Sequence, residues 1–390
     1  MPPTWLGGLI AFIALRILLG LGEGVFYSND RSYIAFHSPP EKVGLGMGIV
    51  LTGVSVGPTA GLLGIPYLLT VAESFMGESA WRFPFFVTGA LTLVIGIILF
   101  VFLKPKTTPH ESVDSPGIKA DFGKTLLYMS SYSAVFLLIV MGIYFVSVKL
   151  NLSSIAIAFI LVALCPLLIF YLYKTKKSEI KPLLVNKNLF LLYLFFIPVM
   201  WHLWFYGFWS VSIVQEFGGG ALLAAALVAS FNGVAGIIGF PLGGKISDLV
   251  AHRPNGRRNV LVVLTAILTV LIFIFAAYVM TGHTSPIIMS IILFVSGLFF
   301  FALQPVAHAL ASDLTPEKSR GSMFGMLNLI AEIGAVLSPV VSGVIRDYTG
   351  NWGVPLLLDG ILMAMGLGLV LAVSGKAVRQ TTLSSVKVAN

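Results

Sequence analysis

The sequence predicts an all-α polytopic membrane protein, and three observations carry that prediction. Hydrophobic residues make up 57% of the 390-residue chain and charged residues only 10%, more apolar surface than a water-soluble protein of this size can hide. The apolar residues gather into eleven segments, each long enough to cross a hydrocarbon core of about 30 Å. Lipid offers no partner to an unpaired backbone amide, so segments of this kind form a helical bundle.

In chain order the spans lie near 5–36, 43–70, 82–103, 125–148, 152–173, 188–214, 221–244, 259–280, 286–312, 321–345 and 353–375. The first two are long enough to extend beyond the hydrocarbon on one side. Forty glycines suit the close crossings of such bundles. Cys165 stands alone inside an apolar span, so it cannot form an intramolecular disulfide and is expected to serve packing. Met1-Pro-Pro-Thr has no basic region of the kind that opens a signal peptide.

The net charge of +8 has a meaning only once it is sorted by loop. One alternating set of connections holds Lys42, the four lysines of 104–124, the five of 174–187, Lys245, Arg253, Arg257, Arg258, Lys318, Arg320, Lys376, Arg379 and Lys387. The other holds only Arg82, Lys149 and Arg346, while Arg16 and Arg31 lie inside the first span. A division of 19 to 3 is the positive-inside pattern and places the carboxyl end in the cytoplasm of a cell-membrane protein. The basic balance therefore reports threading through the lipid bilayer, and no nucleic-acid partner is expected.

A weak internal repeat organises the spans. Pro40-Glu41-Lys42-Val43-Gly44 recurs as Pro316-Glu317-Lys318-Ser319-Arg320-Gly321, and Gly57-Pro58 and Trp81 resemble Ser338-Pro339 and Trp352, at offsets of 271 to 281. The repeat maps the first three spans onto the last three of a six-span unit at 188–375. The expected domains are a partial amino-terminal unit at 1–104, a central linker with two additional helices at 105–187, the complete six-helix unit at 188–375 and a cytoplasmic tail at 376–390. An odd span count with a cytoplasmic carboxyl end makes the first span begin outside, so the first three helices of the amino-terminal unit are expected to be missing.

The strongest motif is Gly243-Gly244-Lys245-Ile246-Ser247-Asp248, followed by Arg253 and Gly256-Arg257-Arg258, between the second and third spans of the six-span unit. Glycines let two helices touch, a carboxylate accepts hydrogen bonds at a helix end, and arginines supply counter-charge. A gate made and broken between two conformations needs these properties, so Gly244, Asp248, Arg253, Arg257 and Arg258 are gating candidates. The loop resembles the second-half copy of the signature loop of the major facilitator superfamily. Ala14-Leu15-Arg16-Ile17-Leu18-Leu19-Gly20-Leu21-Gly22 is similar to that family's fourth-helix motif. Gly53-Val54-Ser55-Val56-Gly57-Pro58-Thr59-Ala60-Gly61-Leu62 is similar to its fifth-helix motif, with Leu62 where a further glycine is usual. The resemblance covers essentially the whole chain and implies helices 4–12 of that fold, the two additional central helices and transport by alternating access.

Gly22-Glu23-Gly24-Val25-Phe26-Tyr27-Ser28-Asn29 looks like the anion:cation symporter branch, in which the acid of this helix is implicated in proton coupling. The resemblance thus gives Glu23 that role and implies a sugar acid or other carboxylate as substrate. Two features depart from that branch. Tyr27 stands where proline is usual, and two extra helices, together with the 181–190 run, are more typical of fourteen-span drug exporters.

The polar groups inside the spans can be weighed without the resemblance. A charge in hydrocarbon costs at least about 2.5–3.5 kcal/mol, so Glu23 should face a cavity or be neutral. Removal from water favours the neutral acid, the property a proton carrier needs. Arg16, Glu23 and Asp30 recur every seven residues and form one stripe, with Tyr27 beside it and Asn29 nearby. Arg16 is either a working residue or packing, whereas Asp30 and Arg31 are read as interface anchors. His202, Tyr206 and Trp209 share a helix face; His202 is expected to line a cavity, and Trp209 either to line it or to join an aromatic belt. Asn232 lines the same space or bonds a neighbouring helix. Gln304 with His308, and Asn328 with Glu332, are pairs four residues apart, and Glu332 rivals Glu23 as the proton site. Asp359 is read as an anchor near the outer end of its span. Gly53, Gly57 and Gly61 form a small-residue stripe expected to pack tightly.

No P-loop, zinc spacing or nucleophile elbow occurs, and no loop is large enough for an ATPase domain, so the chain is not expected to be an enzyme or to hold a cofactor or metal. An ion gradient is then the energy source. The expected function is a monomeric secondary transporter moving a small organic anion with protons. The alternatives are a proton-driven exporter of drugs or metabolites, and a truncated membrane protein that does not transport.

Overall fold

A computed structural model describes residues 3–102, 122–218, 222–282 and 285–374. These residues form twelve α-helices, and no strand occurs among them. In order they are α1 (Pro3–His37), α2 (Val43–Met76), α3 (Phe83–Phe102), α4 (Phe122–Leu150), α5 (Ser154–Thr175), α6 (Lys177–Val185), α7 (Lys187–Gly218), α8 (Leu222–Leu249), α9 (Gly256–Met280), α10 (Pro286–Asp313), α11 (Arg320–Thr349) and α12 (Gly353–Ala372). Ten apolar stretches are long enough to cross a membrane. One of them, Pro40–Phe102, contains both α2 and α3, parted by the 3-10 segment Gly77–Arg82, so eleven helices match the eleven predicted spans. The twelfth helix is a difference. The basic connection at 174–187 was expected to be a linker, but nine of its residues form α6, which buries Ile180 and Leu183 and leaves its lysines exposed.

Local chemistry fixes several ends. Ser153 caps α5 by accepting the Ala156 amide at 3.2 Å, and Pro286 occupies the first turn of α10, where its missing N–H costs nothing. Asn255 turns the chain into α9 at φ 62°, and Gly350 ends α11 at φ 65°, a left-handed conformation that glycine adopts freely.

The chain divides into two units. One comprises Met1–Leu18 and Ala60–Leu138, the other Leu19–Thr59 and Ile139–Asn390. In the first, side chains of α3 are mostly exposed, and Arg82 lies over the Trp81 ring at 4.9 Å. The second holds the core. There α7 packs on α11 and α12, α8 on α10, and α9 on α10 and α12. Phe195, Phe196, Phe240, Phe300 and Phe324 are fully buried in that core. Cys165 is packed as expected, with its thiol pointing to the Leu329 carbonyl at 3.3 Å.

Glycines set the closest approach within this unit. A side chain on Gly44 or Gly48 of α2 would strike the backbone of Gly244 or Phe240 of α8. Ser55 and Thr59 continue the same face and oppose Gly236 and Gly233. The predicted stripe of Gly53, Gly57 and Gly61 is not the packed one. Gly53 and Gly57 look into open space, and Gly61 meets only Ile65 of its own helix. The packed face is turned away from that stripe, and α8 supplies half of its small residues.

Candidate functional site

Two polar clusters join α1 and α2 to the helices that follow. In the first, Tyr27 of α1 and His308 of α10 meet with an O···N distance of 2.8 Å. The tautomer follows from the other ring nitrogen. Nδ1 lies 2.7 Å from the Gln304 carbonyl, which can only accept, so Nδ1 carries the hydrogen and Nε2 accepts from the Tyr27 hydroxyl. Phe196 of α7 and Phe324 of α11 pack against the imidazole and exclude water from it. Arg31, one turn along α1, lies 3.4 Å above the Tyr27 ring and donates to both Asp30 oxygens at 2.8 and 3.0 Å. Arg31 is thus a buried member of this cluster and not the interface anchor that its place near the span end implied.

The remaining polar pair sits beside this cluster. Asn328 donates to Glu332 within α11, and Glu332 is half-buried. Glu23 lies one turn before Tyr27 on α1. Glu23 and Glu332 are thus carried by the two helices, α1 and α11, whose Tyr27 and Phe324 meet at His308. Gln304 is buried, and its side-chain amide nitrogen has no protein partner. Glu23 itself is exposed, as is Asn29. Arg16 falls in the other unit, exposed, with its guanidinium 5.5 Å from the Phe12 ring.

Four further candidates lie elsewhere. Expected to line a cavity, His202 and Tyr206 are instead buried among α7, α9, α10 and α12, where His202 Nδ1 donates to Asp359 at 2.7 Å. Asp359, read as an anchor near the outer end, is 0% exposed. Asn232 donates to the Leu293 carbonyl at 3.4 Å, the neighbour-bonding alternative. Trp209 belongs to a separate cavity of about 230 Å³ lined with Glu216, Arg346, Asp347 and Trp352. There Glu216 accepts from Arg346 at 2.9 Å and from the Trp352 indole at 3.0 Å.

The second joining cluster is built on the glycine–aspartate–arginine motif. Asp248 ends α8 and accepts the Gly44 amide at 2.8 Å and the Leu45 amide at 2.7 Å. Those amides are in the first turn of α2, where no intrahelical acceptor exists and the helix dipole favours a negative charge. Close contact of Gly44 with Gly244 brings the carboxylate within reach. Arg257 crosses from α9 and donates to Asp248 at 3.0 Å, to Ser247 at 3.1 Å, to both Asp313 oxygens at 2.6 Å and to the Pro40 carbonyl at 3.2 Å. Arg258 donates to the Leu371 carbonyl at the end of α12, whereas Arg253 is exposed on the loop. Arg320 adds a link from α11 to the Ala35 carbonyl of α1 at 2.8 Å.

Asp313, Arg31 and Asp359 were not among the candidates. Each is an acid or base near a span end, where interface anchoring is the ordinary explanation. The partner that decides otherwise is adjacent for Arg31 but lies 56 residues away for Asp313 and 157 for Asp359. Only Asp359, an acid inside an apolar helix, carried a signal.

Among known families, the model described as Major Facilitator Superfamily matches residues 2–279 and 255–386. The chain is 25% identical over 358 residues to a probable galactarate/D-glucarate transporter of Escherichia coli (strain K12), covering 91% of this chain and 69% of the relative. It is 22% identical over 356 residues to a hexuronate transporter of Bacillus subtilis (strain 168), covering 90% and 70%. The crystal structure of the E. coli fucose:proton symporter is similar over 94% of this chain and 95% of the other, with 17% identity and a TM-score of 0.42.

Proposed function

This chain belongs to the Major Facilitator Superfamily and is a multi-pass secondary transporter, and we propose that it carries a small organic anion, a sugar acid or another carboxylate, together with a proton by alternating access. The observation that carries the proposal is the Tyr27–His308 hydrogen bond, which joins α1, the helix of Glu23, to α10 beside α11, the helix of Glu332. A carboxyl group on each of these helices can take up a proton and give it up as the helices part, which ties proton movement to the exposure of one side. Similarity to transporters named for galactarate/D-glucarate and hexuronate supports an anionic substrate.

Asn29, Gln304, His308 and Asn328 supply hydrogen-bonding groups. The Asp248–Arg257–Asp313 cluster acts as the gate. Its lysine- and arginine-rich surroundings favour the cytoplasmic side for it, and on that reading the cluster closes that side.

The test uses full-length protein in proteoliposomes with labelled galactarate. Uptake should rise when the outside is made acidic, with protons and galactarate moving in the same direction. Glu23→Gln should lose this pH dependence while still inserting into membranes. Undiminished proton-driven uptake in that variant removes Glu23 from the mechanism. A second reading, proton-driven export, is favoured by the two extra central helices α4 and α5, and opposed movement of protons and substrate would establish it.

A further inference from the structure

The most deeply buried ion pair among the described residues involves neither the gate residues nor Glu23. His202 lies at the middle of α7 and Asp359 near the start of α12, with 1% and 0% of their side chains exposed. Their Nδ1–Oδ2 distance is 2.7 Å. Tyr206, one turn beyond His202, places its ring 4.5 Å from the imidazole, and Phe300 of α10 packs on the other side at 4.4 Å. Phe275 of α9 lies against Tyr206. Tyr206 is therefore the titratable neighbour, and the neighbours from α9 and α10 are apolar. Among the described residues no hydrogen bond or ion pair ties the two to another charged group. Asp359 Oδ1, His202 Nε2 and the Tyr206 hydroxyl, all buried, have no protein partner.

Charge balance decides what such a pair holds. A neutral imidazole beside an ionised carboxylate leaves one uncompensated negative charge in a bundle interior, the most costly arrangement available. One added proton cancels it, whether the proton rests on imidazole Nε2 or on the carboxyl group. We propose that His202 and Asp359 together form a proton-binding site sealed within the α7–α12 bundle, separate from Glu23 and Glu332. Loading transfers a proton from hydronium to the pair and leaves water; release is the reverse, with water as acceptor. Both require water to reach Nε2 or Oδ1. The orphaned Nε2, Oδ1 and Tyr206 hydroxyl are the atoms that such water would meet. The proposal goes beyond the transport reading and does not depend on which anion is carried.

The experiment is spectroscopic and needs no substrate. Full-length protein with nitrogen-15 in its six histidines is placed in lipid nanodiscs at neutral pH, with His202→Gln to assign the signal. Nitrogen resonances report whether one or both ring atoms carry hydrogen, and infrared difference spectra against Asp359→Asn report an un-ionised carboxyl. A doubly protonated His202 ring supports the site. So does a singly protonated ring accompanied by a carboxylic-acid band that Asp359→Asn removes. A singly protonated ring with an ionised Asp359 overturns it. If Asp359→Asn is not recovered folded, the same comparison is made with Asp359→Glu, whose acid band is displaced and not lost. Failure of galactarate uptake would leave this result standing, and failure here would leave the uptake result standing.

Discussion

The two clusters that link α1 and α2 to later helices satisfy their charges on opposite terms. At Asp248 both carboxylate oxygens are engaged, and every nitrogen of Arg257 donates. Around Tyr27, a single hydrogen bond spans α1 and α10, and Arg31 is occupied by its own neighbour Asp30. Arg31 Nε and the Gln304 amide nitrogen remain without protein partners. A saturated cluster separates only when water takes over all of its bonds together, as the proposed latch with two positions requires. An unsaturated cluster still has donors to offer, as a site that receives a ligand requires.

The largest effect should come from the latch. Asp248→Ala removes the acceptor for two amides at the start of α2 and one of the two carboxylates on Arg257. Hydrogen bonds to a charged group contribute about 1.5–3 kcal/mol each, so two of them correspond to at least about a hundredfold shift toward the separated state. Spin labels on Lys42 and Lys245, both exposed, would report it as a longer distance. An unchanged distance distribution would show that the glycine contacts alone hold this end. Tyr27→Phe should act less strongly. It deletes one neutral hydrogen bond and leaves His308 Nε2 buried without a donor, a loss of about 1–3 kcal/mol. The same labels should then show a shift of about fivefold to a hundredfold, and a response equal to that of Asp248→Ala would erase the contrast between the clusters.

What the sequence made legible follows the range of the forces involved. Burial in lipid acts on each helix separately, so hydropathy located all eleven long helices within a few residues; α10 was expected at 286–312 and is Pro286–Asp313. The nine-residue α6 escaped because its three lysine and glutamate side chains lower the mean hydropathy, while only Ile180 and Leu183 are buried. The site was legible where a partner lies one turn away, as with Asn328 and Glu332. It was hidden where the partner belongs to another helix. Nothing in the neighbourhood of Asp359 points to His202, and nothing around Asp313 points to Arg257. The loop motif revealed Asp248 and Arg257 as a group without indicating that the backbone of Gly44 and Leu45 is what the carboxylate holds.

The smallest expected effects distinguish the packed face of α2 from the face that its glycine spacing advertised. Gly48→Ala puts a methyl group against the Phe240 backbone, which cannot move aside without displacing α8, and overpacking of this kind costs about 1–3 kcal/mol. Gly53→Ala adds the same methyl group in open space, five residues further along the same helix. There alanine's better helix propensity should leave stability unchanged or raise it by up to about 1 kcal/mol. Thermal unfolding in detergent would compare the two, and the label distance from Lys42 to Lys245 would show whether only Gly48→Ala loosens the latch. Equal destabilisation by both would mean that α2 also packs through Gly53. In that case the helix contact that brings Asp248 to its amides would no longer be assigned to the Gly44–Gly48 face alone.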